Sequence, residues 1–276
     1  LLSVKENTAF AVIEMGANHP GEIEALCRIA RPGFGIITNI GKAHLEGFGS
    51  FDGVVKAKSE LYDFIRESEG TVFVNFDNQL LFRLSDGMNI FSYGSVENAA
   101  CRGEIAESHP SLAIAWHAGQ QSGSVRTRLY GDYNFENVMA AVAIGIYFGI
   151  SPEKIDQAIS SCQPENNRSQ MTRTEHNGLL LDAYNANPSS MAAALNNFRN
   201  YAAPSKMVVL GDMMELGDHS LEEHREIVAL VRQLSFSQVC FVGEQFSLAA
   251  KGGQELCFAS LPQAEKWFRE HPVRNM

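Results

Sequence analysis

The chain has 276 residues, 45% of them hydrophobic and 20% charged, a balance that suits two folded domains and excludes a disordered or fibrous protein. Its 22 Lys and Arg against 32 Asp and Glu leave a formal charge of -10, and without a basic cluster nucleic acid is excluded as a partner, so any phosphorylated ligand must be held locally. No run approaches the roughly 18 apolar residues of a membrane span, residues 1–10 lack the regions of a signal peptide, and the separated cysteines Cys27, Cys101, Cys162, Cys240 and Cys257 read as buried thiols, so a cytoplasmic location is expected.

An apolar run at residues 10–15 is the first expected strand, and Ile23, Leu26, Cys27 and Ala30 recur at helical spacing after it. A second run covers residues 35–40, a helical pattern covers 54–65 and residues 71–75 form the next strand. Short apolar runs alternating with helices predict a mostly parallel sheet covered on both faces. Between residues 88 and 130 the segments NIFSYG, SLAIAW and VRTRLY are short, alternating and broken by Gly, Ser and Pro, which predicts a small antiparallel sheet inserted on one side. A helix over about 134–148 and another from Ser151-Pro152 lead to a linker, CQPENNRSQ.

The alternation then restarts: LLLDAY, a helix from Pro188, MVVLGD, a helix from Ser220, VCFVGE, ELCFAS and a last helix. The expected architecture is therefore α/β, with a first domain over 1–165 and a smaller Rossmann-like domain over 166–276.

Two polar residues follow predicted strands, Glu14 after the first and His44 after the second. Ligands gather at the C-terminal edge of a parallel sheet, and Glu with His suits a divalent cation, although each residue alone is as well explained by a solvated carboxylate and a loop histidine. Lys56, Lys58 and Glu60 in KAKSELY read by spacing alone as a solvated helix face. Asn134 and Asn137 lie one turn apart at the start of an apolar helix. An Asn amide matches the donor and acceptor edge of adenine, and Asn134 is equally a helix cap. Asn187-Pro188 marks a helix start that caps itself or receives an anion. Ser220 and Glu223 form an S-x-x-E capping box, with His224 beside them in the first turn.

The blocks IEMGANHPGEI, TNIGKAHLEGFGS, KAKSELY, GDYNFENVMAA, AYNANPSSM and LGDMMELG, spread from Glu14 to Gly217, resemble the Mur ligases of bacterial cell-wall synthesis, in the branch that adds D-Ala-D-Ala. The resemblance implies an ATP- and magnesium-dependent enzyme whose substrates are UDP-N-acetylmuramoyl-tripeptide and D-Ala-D-Ala. It implies that Glu14 and His44 ligate magnesium and that Lys58 carries a carbamate that joins them. It places Asn137, with Asn134, at adenine, and Arg168 and Asp182 at the nucleotide's phosphate and ribose or metal-bound water. Tyr184, Asn185 and Asn187 become substrate contacts, with His224 a candidate base for the incoming amine. Two departures stand out: Tyr133 replaces the His that precedes the Asn pair in some relatives, and Leu181-Asp182-Ala183 replaces a more polar triplet.

The Gly-rich phosphate loop with its Lys and Thr is absent from these 276 residues, as are the UDP-binding part and the terminal Lys-Gly-Ser-Arg-like block, so a fragment inactive on its own is expected. A noncatalytic Mur-like binding module and a folylpolyglutamate-type ligase are the alternatives. The retained Glu14, His44 and Lys58 count against the first, and YNANP and GDMMELG against the second.

Overall fold

A computed structural model describes residues 4–108, 111–163 and 170–276. Helix α1 (Glu22–Ala30) turns Ile23 and Cys27 inward and leads to strand β1 (Phe34–Ile36). A short helix α2 (Leu45–Phe48) precedes α3 (Phe51–Glu67), whose N-terminus is capped by Ser50 Oγ accepting from the Gly53 N–H at 3.1 Å. Strand β2 (Thr71–Asn75), helix α4 (Gln79–Leu84) and strands β3 (Asn89–Gly94), β4 (Cys101–Glu107), β5 (Ala113–Ala118) and β6 (Gln121–Arg126) follow, then helices α5 (Phe135–Tyr147) and α6 (Pro152–Ser161).

These strands form one six-stranded sheet in the order β1-β2-β3-β4-β5-β6, parallel from β1 to β4 and antiparallel from β4 to β6. The expected small antiparallel sheet is thus the far end of the main sheet. NIFSYG is β3 and pairs parallel with β2, whereas the antiparallel meander is built from β4, β5 and β6. Its tight β5–β6 connection turns at Gly119, whose φ of 59° suits a residue without a side chain.

In the second part, β7 (Gln170–Arg173) and β8 (Gly178–Leu181) make a separate antiparallel ribbon, so LLLDAY does not enter the parallel sheet. Helix α7 (Pro188–Asn200), β9 (Met207–Gly211), α8 (Ser220–Leu234), β10 (Gln238–Val242), α9 (Glu244–Ala249), β11 (Leu256–Phe258) and α10 (Leu261–Glu270) supply the expected alternation, with β11-β10-β9 a parallel sheet. Phe241 and Phe246, both fully buried, stack at 4.7 Å in its core.

Residues 10–15 form no strand. Val12 is 95% exposed and Phe10 packs on Phe148, so the run has neither a hydrogen-bonded neighbour nor a buried face to hold it in a sheet. The cysteines also divide. Cys27, Cys101 and Cys240 are buried, and burial pushes the Cys101 and Cys240 thiols up to about 12 and about 11, whereas Cys162 and Cys257 are exposed.

One buried cluster crosses between the two parts. Leu45, Phe48, Val54 and Ala57 pack with Met191, Leu195, Met213 and Leu216, so α2 and the start of α3 are seated against α7 and the loop after β9.

Candidate functional site

The C-terminal end of β1 opens into residues 37–44, which rise toward α2 and meet α3. On α3 the three polar residues of KAKSELY have different fates. Lys56 is exposed. Glu60 accepts from the Gly21 and Glu24 N–H groups at 2.7 and 3.0 Å and so caps α1, satisfying donors that a helix start leaves open. Lys58 is half-buried, its Nζ donates to the Asn39 carbonyl at 2.9 Å, and burial holds its amine below the usual lysine range. Desolvation penalises the ammonium, which makes Lys58 the readier of the two lysines to react as a neutral amine.

His44 ends the same loop with φ 53°, and its Nδ1 lies against the Glu215 carboxylate of the loop after β9. Glu14 is exposed on the unpaired stretch and has no hydrogen bond or ion pair among the described residues, so it does not close a strand as its position after an apolar run suggests. Among the described residues no group of three or more His, Cys, Asp or Glu is placed to hold a metal. The donor chemistry of Glu14 and His44 nevertheless fits a hard divalent cation, provided Lys58 adds oxygens as a carbamate; an amine would not.

Around the Asn pair, Asn134 is buried, and its Nδ2 donates to the Tyr130 carbonyl at 2.7 Å. It makes no side-chain cap to α5, which corrects the capping role expected from its position. Asn137 is exposed on the next turn, 3.5 Å from the Asn134 amide oxygen. Between them Glu136 is half-buried and shifted upward by burial, then by repulsion from Asp77, with the neighbouring Asn75 side chain opposing the shift. Sequence reading passed over this Asn75, Asp77 and Glu136 group, because it forms only when β2, β3 and α5 come together.

In the second part Asp182 and Tyr184 are exposed after β8, and the Asn185 side-chain oxygen accepts from the Ala186 N–H at 2.9 Å. Arg168 lies outside the described residues. Asn187 caps α7: its side-chain oxygen takes the Ser190 N–H at 2.9 Å and Ser190 Oγ takes the Asn187 N–H at 3.2 Å. This reciprocal pair occupies the polar atoms that the self-capping reading assigned to it.

His224 is fully buried. Its Nε2 accepts the Met213 N–H at 3.0 Å, so Nδ1 carries the hydrogen and donates to the Ser220 carbonyl at 2.7 Å. Both nitrogens are engaged, which leaves none for a substrate amine and corrects its place among the substrate contacts. The neighbouring Asp212, 3.7 Å away, caps α9 through the Gln245 and Phe246 N–H groups. The expected capping box is also absent. Ser220 is the first residue of α8 itself, preceded by a 3-10 turn over Gly217–His219, and Glu223 faces Lys42.

The profile of the Mur ligase middle domain matches residues 1–145, and that of the Mur ligase glutamate ligase domain matches residues 167–264. The chain belongs to the Mur ligase family. Within it, the UDP-N-acetylmuramoyl-tripeptide--D-alanyl-D-alanine ligase of Bacillus subtilis is 31% identical over 256 residues, covering 91% of this chain and 55% of that protein. A crystal structure of MurF from Acinetobacter baumannii superposes with a TM-score of 0.87 at 31% identity, covering 99% of this chain and 61% of the other. A MurF ligase from Thermotoga maritima in complex with ADP shares the fold, with a TM-score of 0.81 at 21% identity over 95% of this chain and 60% of that one. The chain thus spans about half the length of the curated relatives it matches.

Proposed function

We propose that this chain carries the nucleotide-handling unit, residues 1–165, and the acceptor-handling unit, residues 166–276, of a cytoplasmic ligase that joins D-Ala-D-Ala to UDP-N-acetylmuramoyl-tripeptide at the expense of ATP. The terminal carboxylate of the tripeptide attacks the γ-phosphorus and ADP leaves. The amine of D-Ala-D-Ala then attacks the acyl carbon, loses a proton and expels phosphate. Both steps bring anions or dipoles together, so the protein's contribution is positioning and fixed charge.

Lys58 carries this reading. It lies on the KAKSELY block, and burial holds its amine below the ordinary lysine range, a shift in the direction of the neutral form that reacts with carbon dioxide. As a carbamate it would join Glu14 and His44 in holding magnesium, which would offset the charge between carboxylate and triphosphate. Asn137, exposed beside the buried Asn134, is the amide assigned to adenine, and Asp182, Tyr184 and Asn185, exposed in the second unit, are assigned to the nucleotide and the acceptor.

The test supplies ATP, magnesium, UDP-N-acetylmuramoyl-tripeptide and D-Ala-D-Ala to the natural full-length protein and to the 276-residue chain, and follows product by mass. Ligated pentapeptide from the full-length protein is expected. Binding of the substrates without turnover there would favour the noncatalytic module.

A further inference from the structure

The turn that leads into Asn134 is held from the second part of the chain. At its start Gly131 sits at φ 94°, where a Cβ would meet the Tyr133 ring, so the turn depends on a residue of wide conformational freedom and its shape is set by what binds the residues beside it. Two of those bonds come from Asn197, in the last turn of α7. Its side-chain oxygen accepts the Asp132 N–H at 3.0 Å, and its carbonyl, one of the four that a helix end leaves open, accepts the Tyr130 hydroxyl at 3.3 Å. The Tyr201 ring meets the Tyr130 ring edge-on at 5.6 Å, and Lys206 Nζ donates to the Phe198 and Tyr201 carbonyls at 3.4 and 3.2 Å, so the end of α7 is fastened in turn. From within, Asn134 Nδ2 donates to the Tyr130 carbonyl at 2.7 Å, and Asn137 Nδ2 lies 3.5 Å from the Asn134 side-chain oxygen.

We propose that Asn197 is a positioning residue for the adenine site, setting the direction of the Asn137 amide through the turn over residues 130–134. This rests on the reading of Asn137 as the adenine contact. Without the Asn197 oxygen the Asp132 N–H loses its partner, the turn gains the freedom that Gly131 allows, and Asn134, anchored on the Tyr130 carbonyl, moves with it. Helix α5 starts on that turn, so the Asn137 amide loses part of its preorganisation, and binding of adenine must restore it. The consequence is a coupling: the affinity of the first unit for nucleotide depends on α7 of the second, the helix that begins at the Asn187 cap.

The test uses the natural full-length protein. Asn197→Leu keeps the volume and loses the acceptor, and Asn197→Ala loses both. Each is expected to speed hydrogen exchange over residues 130–135, read by mass spectrometry. Each is also expected to raise the KM for ATP about 3-fold to 10-fold, the net worth of one hydrogen bond, with kcat within about 2-fold of wild type. In an Asn137→Ala background the same substitutions are expected to leave the KM for ATP where Asn137→Ala alone puts it, because the amide they act through is gone. An equal rise in both backgrounds overturns the proposal and makes Asn197 a purely structural tie. Unchanged exchange in both Asn197 variants overturns it as well, as does an unchanged KM for ATP in both when Asn137→Ala raises it. If Asn137→Ala leaves the KM for ATP unchanged, the adenine reading fails by itself, and the exchange rates still decide whether Asn197 holds the turn.

Discussion

Lys42 reaches from the loop after β1 to Glu223 on α8, placing Nζ 2.7 Å from a carboxylate whose side chain is only 8% exposed. Glu226 adds a second, looser contact at 3.5 Å. The pair stands beside the shared hydrophobic cluster and ties the same two parts together.

Removing Lys42 leaves a buried carboxylate without its cation. Because Lys42 is 40% exposed, water relieves part of that penalty, and Lys42→Met is expected to cost about 1–3 kcal/mol in urea unfolding. The hydrogen bond to Glu223 holds the Lys42 amine above 10.5. Its contribution is therefore fully present below about pH 10.5 and is lost as pH rises through the folded value. A Lys42→Met loss within about 0.5 kcal/mol at pH 7 would contradict the clasp.

Lys58 has the opposite sign. Burial lowers its amine below 10.5, so between the folded and unfolded values the unfolded chain holds more protons and stability rises with pH. Lys58→Met is expected to raise the melting temperature more at pH 7 than at pH 10.5. Under labelled bicarbonate, a carbamate carbon signal is expected in the wild type and not in Lys58→Ala, and its presence in Lys58→Ala would place the carbamate elsewhere.

The two asparagines separate by assay. Asn134→Ala removes the buried hydrogen bond to the Tyr130 carbonyl and is expected to cost about 1–3 kcal/mol, whereas Asn137→Ala stays within about 0.5 kcal/mol and weakens ATP binding in the full-length protein. Equal thermal losses with unchanged nucleotide affinity would return Asn137 to a structural role.

His224 is a framework residue on its geometry. His224→Ala opens a cavity and frees the Met213 N–H, so a loss of about 2–5 kcal/mol is expected in urea unfolding. A stable variant whose only defect was slow reaction with the amine would restore it as a base.

Periodicity made most elements legible, because α1, α3, α7 and α8 bury stripes and β2, β9 and β10 are continuous apolar runs. Residues 10–15 have the same texture and fail as a strand, since an apolar run becomes one only beside a hydrogen-bonding neighbour. The parallel pairing of β3 was hidden for a related reason: its alternation reports one face, not the direction of its partner. Asn187 capped its helix as its spacing suggests, but Glu223 did not join Ser220, because a better partner, Lys42, stands 181 residues away. No local pattern announces such a pair, or the meeting of His44 with Glu215. Lys58 was singled out over Lys56 by resemblance alone, and burial supplies the physical difference between them.

The acyl-phosphate route is the centre of this account, and isotope transfer tests it most directly. UDP-N-acetylmuramoyl-tripeptide labelled with oxygen-18 in its terminal carboxylate is given to the full-length protein with ATP, magnesium and D-Ala-D-Ala. Because that oxygen attacks phosphorus and later departs with it, one labelled oxygen is expected in each phosphate released, in step with each amide formed, and the 276-residue chain alone is expected to release none. Ligated product accompanied by unlabelled phosphate would contradict the account.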